Sequence, residues 1–128
     1  LCALRGPRHR QAWRRLAVGL AIESLVVNWG VKSLFRRTRP AWDHDRPHRL
    51  RQPRTSSFPS GHATSGFLAA TLLADADRPR RTAPVWFAVA SVVASSRVHV
   101  RIHHASDVVA GAAMGLVAGR VVRRRWPL

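Results

Sequence analysis

The sequence predicts an all-α, membrane-embedded helical bundle of about four helices. Three observations carry this. Hydrophobic residues make up 46% of the 128 positions, and they fall in blocks separated by arginine clusters. The first block, residues 16–35, is about 20 residues long, enough to cross a hydrocarbon core of roughly 30 Å. The last carries Gly111, Gly115 and Gly119 at four-residue spacing, a small-residue stripe that lets helices approach closely in membranes.

Taken in order, residues 1–15 form a basic lead-in, 16–122 a helical core and 123–128 a basic tail, all within one domain by length. The first helix, 16–35, is interrupted only by Glu23, Asn28 and, near its end, Lys32. Residues 36–58 are arginine-rich with little periodicity and read as a loop; its histidines, His44 and His48, are exposed loop residues on this reading. A second helix is expected from Ser60 to Ala74, then a short basic turn over 75–84. A third is expected over 85–96 and a fourth over 106–122. The middle two blocks are short for spanning a bilayer. Valine and isoleucine also suit strands, but the Ala- and Gly-rich patterns favour helices.

Twenty-two Lys and Arg against six Asp and Glu give a net charge of +16, which favours an anionic partner: nucleic acid, an acidic membrane surface or a phosphorylated substrate. The apolar blocks argue against a disordered basic tail. The lone Cys2 excludes an internal disulfide and a multi-cysteine zinc site. No signal peptide is expected, because a long arginine-rich segment precedes the first apolar block and no convincing cleavage site follows. The chain starts at Leu1 rather than Met, which is compatible with a longer parent protein.

This helix order brings three polar clusters to one end of the bundle. The first is KSLFRRTRP, with Lys32 seven residues before Arg39 and then Pro40. A lysine at the end of an apolar helix either snorkels or serves an anion, with arginine supplying a planar donor fork beside it. The second is SSFPSGHATSG, residues 56–66. Pro59 keeps Phe58 out of the helix, Ser60 is a good N-cap, and the first amides of the helix are unpaired. Such amides accept an anion, and Gly61 lets an oxyanion approach the backbone; a plain cap beside a surface histidine, His62, is the alternative. The third is SRVHVRIHHASD. Four residues separate His103 from Asp107, so a carboxylate can hold one ring nitrogen protonated and leave the other free to attack. Asp107 equally suits a helix start. His99 and His103 are also four apart, but a zinc site wants more committed ligands and the surrounding arginines repel a cation, so no metal is expected.

Together and in this order, Lys32 with Arg39-Pro40, Pro59-Ser60-Gly61-His62, and Ser96-Arg97 with His103 and Asp107 resemble the three-part signature of the type 2 phosphatidic acid phosphatase superfamily. The stretch SRVHVRIHHASDVVAGAAMG most resembles short actinobacterial members, including the phosphatase part of two-domain proteins that also carry a lipid kinase. The resemblance implies a haloperoxidase-like helical bundle with a metal-independent, cofactor-free site. By transfer, His103 is the nucleophile that forms a phosphohistidine, Asp107 orients it, and His62 protonates the leaving oxygen. Lys32, Arg39, Arg97, Ser60 and Gly61 hold the phosphate. A helix N-terminus disfavours imidazolium, so a bound phosphate dianion is expected to help charge His62.

The implied substrate is a lipid phosphate or prenyl (pyro)phosphate, hydrolysed at a multi-pass cell-membrane protein. Many family members have six spanning helices; upstream helices or a homo-oligomer would complete a four-block chain. Of the Lys and Arg, 12 fall on the face of the termini and 10 on the cluster face. Setting aside Lys32, Arg39 and Arg97 leaves an excess on the terminal face, which by the positive-inside rule leans toward an extracytoplasmic site. A vanadate-dependent haloperoxidase is a second enzymatic reading, without support for halide or peroxide chemistry. A basic binding module for nucleic acid or anionic lipid is a third, drawing on the charge and on Trp13, Trp29, Trp42, Trp86 and Trp126. Trp13 and Trp126, beside arginines at helix ends, look more like interface anchors than base-stacking residues, and no nucleic acid is expected.

Overall fold

A computed structural model describes residues 6–41, 53–77 and 81–128; Cys2, Trp42, His44 and His48 lie outside the described residues. Four helices make up the described fold. Helix α1 runs over Pro7–Leu34, α2 over Gly61–Ala76, α3 over Ala83–His99 and α4 over Ala105–Arg125.

Helix α1 begins at Pro7, nine residues before the apolar block. Proline suits a first helical turn because its missing N–H would be unpaired there anyway, and the Arg, Gln and Ala that follow are good helix formers. Hydropathy therefore marks where this helix enters its apolar part, and propensity marks where it begins. At its other end the helix opens into a π-helical segment, Val26–Val31, then closes with one α turn, Lys32–Leu34, before Phe35 turns extended. The other three helices extend the predicted spans by one to three residues at most ends. Pro84 lies in the first turn of α3, the same device that starts α1.

Helices α1 and α4 are long and apolar enough to cross a membrane. At 16 and 17 residues, α2 and α3 reach only about 24–26 Å. Apolar side chains face outward around the bundle: Trp29 is 81% exposed and Val92 69%, an arrangement suited to lipid rather than water.

Helix α2 sits centrally and packs against the other three. Leu16, Leu68 and Leu72 form its buried core with α1. Against α4 the contact is backbone to backbone. A Cβ added to Gly115 would collide with the Thr64 carbonyl, and one on Gly111 would sit 2.5 Å from the Ser60 carbonyl. The predicted glycine stripe is thus the seam that seats α4 on α2.

One end of the bundle is closed by a buried ion pair. Arg15 is fully buried and donates through Nη1 to Asp75 Oδ2 at 2.9 Å and to the Trp126 carbonyl at 3.2 Å, and through Nη2 to the Leu72 carbonyl at 3.2 Å. An arginine read as part of a basic lead-in therefore ties α1, α2 and the end of α4. The opposite end gathers the three polar clusters.

Candidate active site

The start of α2 is the site's floor. Ser60 takes the N-cap position with extended backbone, but its side chain caps nothing. Its own amide donates to the Asp107 carbonyl at 3.0 Å, which pins the start of α2 to the first turn of α4. The hydroxyl is left buried with no hydrogen-bond partner among the described residues. The expected cap is therefore a correct position with a different employment: Ser60 Oγ is a donor held in reserve beside the first amides of α2. Above it, a Cβ on Gly61 would lie 3.7 Å from Lys32 Nζ and 3.9 Å from Asn28 Oδ1. Glycine keeps open the gap between the helix N-terminus and the Lys32 ammonium, where an oxyanion would meet both.

His103 lies in the turn between α3 and α4 and is 3% exposed. Its amide and that of Ile102 both donate to the Arg97 carbonyl, which fixes the turn. The ring Nδ1 lies 2.7 Å from the Ser57 carbonyl. A carbonyl only accepts, so Nδ1 carries the proton and Nε2 presents its lone pair. Burial holds the imidazole well below its ordinary range, at about 4; the Ser57 carbonyl pulls it up and Arg39 pushes it further down. At neutral pH His103 is a neutral base with one nitrogen free.

Asp107 is the N3 residue of α4. Its Oδ2 accepts from the His104 amide at 2.9 Å, and its Oδ1 from Arg37 Nη1 at 2.7 Å. It stands 3.7 Å from His103 Nδ1, beyond a hydrogen bond. The helix-start reading of Asp107 applies. The hydrogen bond to His103 Nδ1, expected of Asp107 from the signature, is made here by the Ser57 carbonyl. Asp107 contributes a nearby negative charge and the backbone of the turn.

The cationic residues are arranged unequally. The charges of Arg97, Lys32 and Arg39 all bear on His62, and those of Arg39 and Lys32 on His103, so the three clusters converge as expected. Lys32, Gly61 and His62 line one cleft. Arg39, by contrast, spends its guanidinium on carbonyls: Pro53, Thr55, Ser56 and Ile102. It clasps the loop to the turn that carries His103 as well as lending charge. Arg97 folds onto its neighbour, the Ser96 hydroxyl. Helix α3 ends at His99, so His99 and His103 do not share a helical face. Among the described residues, no group of three His, Cys, Asp or Glu is placed to hold a metal.

Ser57 and Arg37 were not picked out from the sequence. Ser57 acts through its main chain, which leaves no trace in residue type. Arg37 is one of several arginines in its tract, and only the fold selects it.

Similarity to known proteins agrees with this geometry. The PAP2 superfamily model matches residues 12–127. Decaprenylphosphoryl-5-phosphoribose phosphatase of Mycobacterium tuberculosis is 33% identical, covering 95% of this chain and 66% of its own length. Lipid A 1-phosphatase of Porphyromonas gingivalis is 35% identical over 82% of this chain and 22% of its own. This chain thus spans about two thirds of the first relative and a fifth of the second. The crystal structure of a transmembrane PAP2-type phosphatidylglycerolphosphate phosphatase from Bacillus subtilis superposes with a TM-score of 0.68 at 23% identity, over 86% of this chain and 56% of that one, so the bundle is shared. With the signature clusters, the shared bundle and a family match running nearly end to end, the chain belongs to the PAP2 superfamily.

Proposed function

We propose that the protein is a membrane phosphatase that hydrolyses a lipid phosphate or prenyl-linked phosphate through a phosphohistidine. The observation that carries this is His103: buried, neutral, with Nδ1–H on the Ser57 carbonyl and Nε2 free. In the proposed reaction Nε2 attacks phosphorus, the P–Nε2 bond forms, and the bond to the leaving oxygen breaks as His62 gives that oxygen its proton. Water then attacks phosphorus, the P–Nε2 bond breaks, and the water's proton returns to His62. Lys32, Ser60 Oγ, the Gly61 amide, Arg97 and the charge of Arg39 stabilise the equatorial oxygens; in phosphoryl transfer such positioning and charge carry most of the catalysis. A cationic cluster of this kind attracts the phosphate directly, and we propose that no metal is required. The relatives' names, a prenyl-linked phosphoribose phosphatase and a lipid A phosphatase, support a lipid-borne phosphate as substrate.

The test is phosphate release from a panel of lipid phosphates in detergent with EDTA present. Loss of release in His103→Ala and His62→Ala, with retention in His99→Ala, supports the assignment. Full activity in His103→Ala overturns the mechanism, and EDTA sensitivity overturns its metal independence. We further propose a multi-pass protein with an extracytoplasmic site. An impermeant thiol reagent should reach Thr55→Cys in intact cells, in a Cys2→Ser background.

A further inference from the structure

Beyond the phosphate cluster, the cleft lined by Lys32 and His62 continues between α1, α2 and α3 as a volume of about 510 Å³, within the usual size of ligand pockets. Its wall one turn below His62 carries Glu23, nearly buried at 6% exposure, which accepts from Ser65 Oγ at 2.7 Å. Asn28 stands between Glu23 and Lys32 along the same wall. A carboxylate in the apolar stretch of a membrane helix is costly and calls for a function.

The π-helical segment explains how Glu23 comes to face this cleft. In a regular α-helix, residues nine apart lie about 180° apart around the axis. By that count Glu23 and Lys32 would point in opposite directions. A π turn holds one more residue than an α turn, so Val26–Val31 takes roughly one residue out of the count and leaves about 80° between them. Both then line one groove.

Resting on the phosphatase reading above, we infer that Glu23, with Asn28 and Ser65, binds the hydroxyl groups of a sugar or polyol that bears the scissile phosphate. The leaving oxygen is the one His62 protonates, so the group attached to it occupies the cleft on the His62 side, where Glu23 lies. A carboxylate offers roughly four acceptor positions, and Ser65 occupies one. The Asn28 carbonyl oxygen adds another acceptor, so the wall suits a donor-rich group. An ammonium headgroup would meet the same acceptors but would stand among Lys32, Arg39 and Arg97, whose charges repel it. A bare hydrocarbon chain would fill none of the acceptor positions that Ser65 leaves open and would strip them of water, which is unfavourable. Glu23 is thereby a specificity-determining residue for the group that leaves.

Two substrates separate this role from a structural one: a polyprenylphosphoryl pentose 5-phosphate, and a polyprenyl phosphate of the same chain length with no hydroxyls. Glu23→Ala should lower kcat/KM on the first by about tenfold or more, as expected where a site built for hydroxyls loses its acceptor, and leave the second unchanged or raise it, because the carboxylate no longer faces the chain. Glu23→Gln, which keeps one oxygen, should fall between. Equal losses on both substrates, or no loss on either, overturn the inference. Binding of the dephosphorylated polyprenylphosphoryl pentose, measured by calorimetry in detergent, gives a readout free of turnover. Weaker binding to Glu23→Ala than to the unaltered protein supports the subsite even if neither substrate is hydrolysed, an outcome in which the phosphatase reading fails alone. Equal binding overturns the subsite.

Discussion

Arg37 Nη1 lies 2.7 Å from Asp107 Oδ1. Arg37 also donates to the Ser106 hydroxyl at 2.8 Å, so one side chain from the loop after α1 holds the first turn of α4. Asp107 is fully buried while the Arg37 side chain is 40% exposed, so solvent weakens the pair and its loss leaves the carboxylate the poorer partner. Arg37→Ala is expected to destabilise the protein by about 1–2 kcal/mol and to reduce kcat by roughly tenfold through a displaced Asp107 and His103 turn. Arg37→Lys should recover part of both. Thermal unfolding in detergent beside steady-state kinetics measures the two effects; an unchanged kcat in Arg37→Ala would show that the pair is structural only.

The pH profile follows from His103. Its pKa in the fold, about 4, is below its ordinary 6.5, so the imidazole stays neutral through the mildly acidic range. The acidic limb of kcat/KM should therefore fall only near pH 4–5, and a limb near 6.5 assigned to His103 by mutation would refute the buried, neutral state. The same shift affects stability. The unfolded chain binds the proton more readily, so this contribution is complete above about pH 6.5 and is lost as pH falls through about 4. Its ceiling is roughly 3 kcal/mol, and denaturant titrations at pH 7 and pH 4.5 should show the loss.

Gly115 cannot take a side chain without moving α4, since a Cβ there would strike the Thr64 carbonyl. Gly115→Ala is expected to cost about 1–3 kcal/mol, in the range of overpacked cores. Gly66 is the internal comparison: its Cβ would meet Ala90 at 3.7 Å, an ordinary contact. Gly66→Ala should be within about 1 kcal/mol of neutral. Melting temperatures of the two variants side by side decide the matter.

Arg15 and Asp75 form a buried pair, and removing one member takes a buried opposite charge away from the other. Arg15→Ala or Asp75→Ala should each cost about 3–5 kcal/mol, whereas joint replacement by Met and Leu should recover much of that. A double-mutant cycle on unfolding free energies checks it; additive losses would mean the two charges do not act as a pair.

The helices were legible because their apolar blocks and starts leave clear marks: Pro84 and the Pro59-Ser60-Gly61 sequence open α3 and α2, and the glycine stripe announces the α2–α4 seam. The start of α1 was not, because Arg8, Arg10 and Arg14 are helix formers that carry no hydropathy signal. In the site, residues with distinctive chemistry in fixed order, such as His62, His103 and Asp107, stood out. Ser57 did not, because it acts through its carbonyl. Glu23 did not, because ordinary helical spacing sets it opposite Lys32 until the π segment turns it back. Arg39 is distinctive in the sequence, but its bonds to four carbonyls depend on a loop path that no spacing rule encodes.

The contact of Gly111 with the Ser60 carbonyl, together with the Ser60 amide on the Asp107 carbonyl, has a mechanical consequence. The start of α2 and the start of α4 are spaced by main-chain atoms, whose dimensions do not vary with side-chain repacking. The start of α2 and the turn leading into α4 are therefore held at one fixed spacing. Helix α1, which carries Lys32, is seated instead through leucine side chains and the Arg15 pair. A substitution that repacks those leucines would accordingly shift Lys32 relative to Gly61 before it shifted the spacing of α2 from α4.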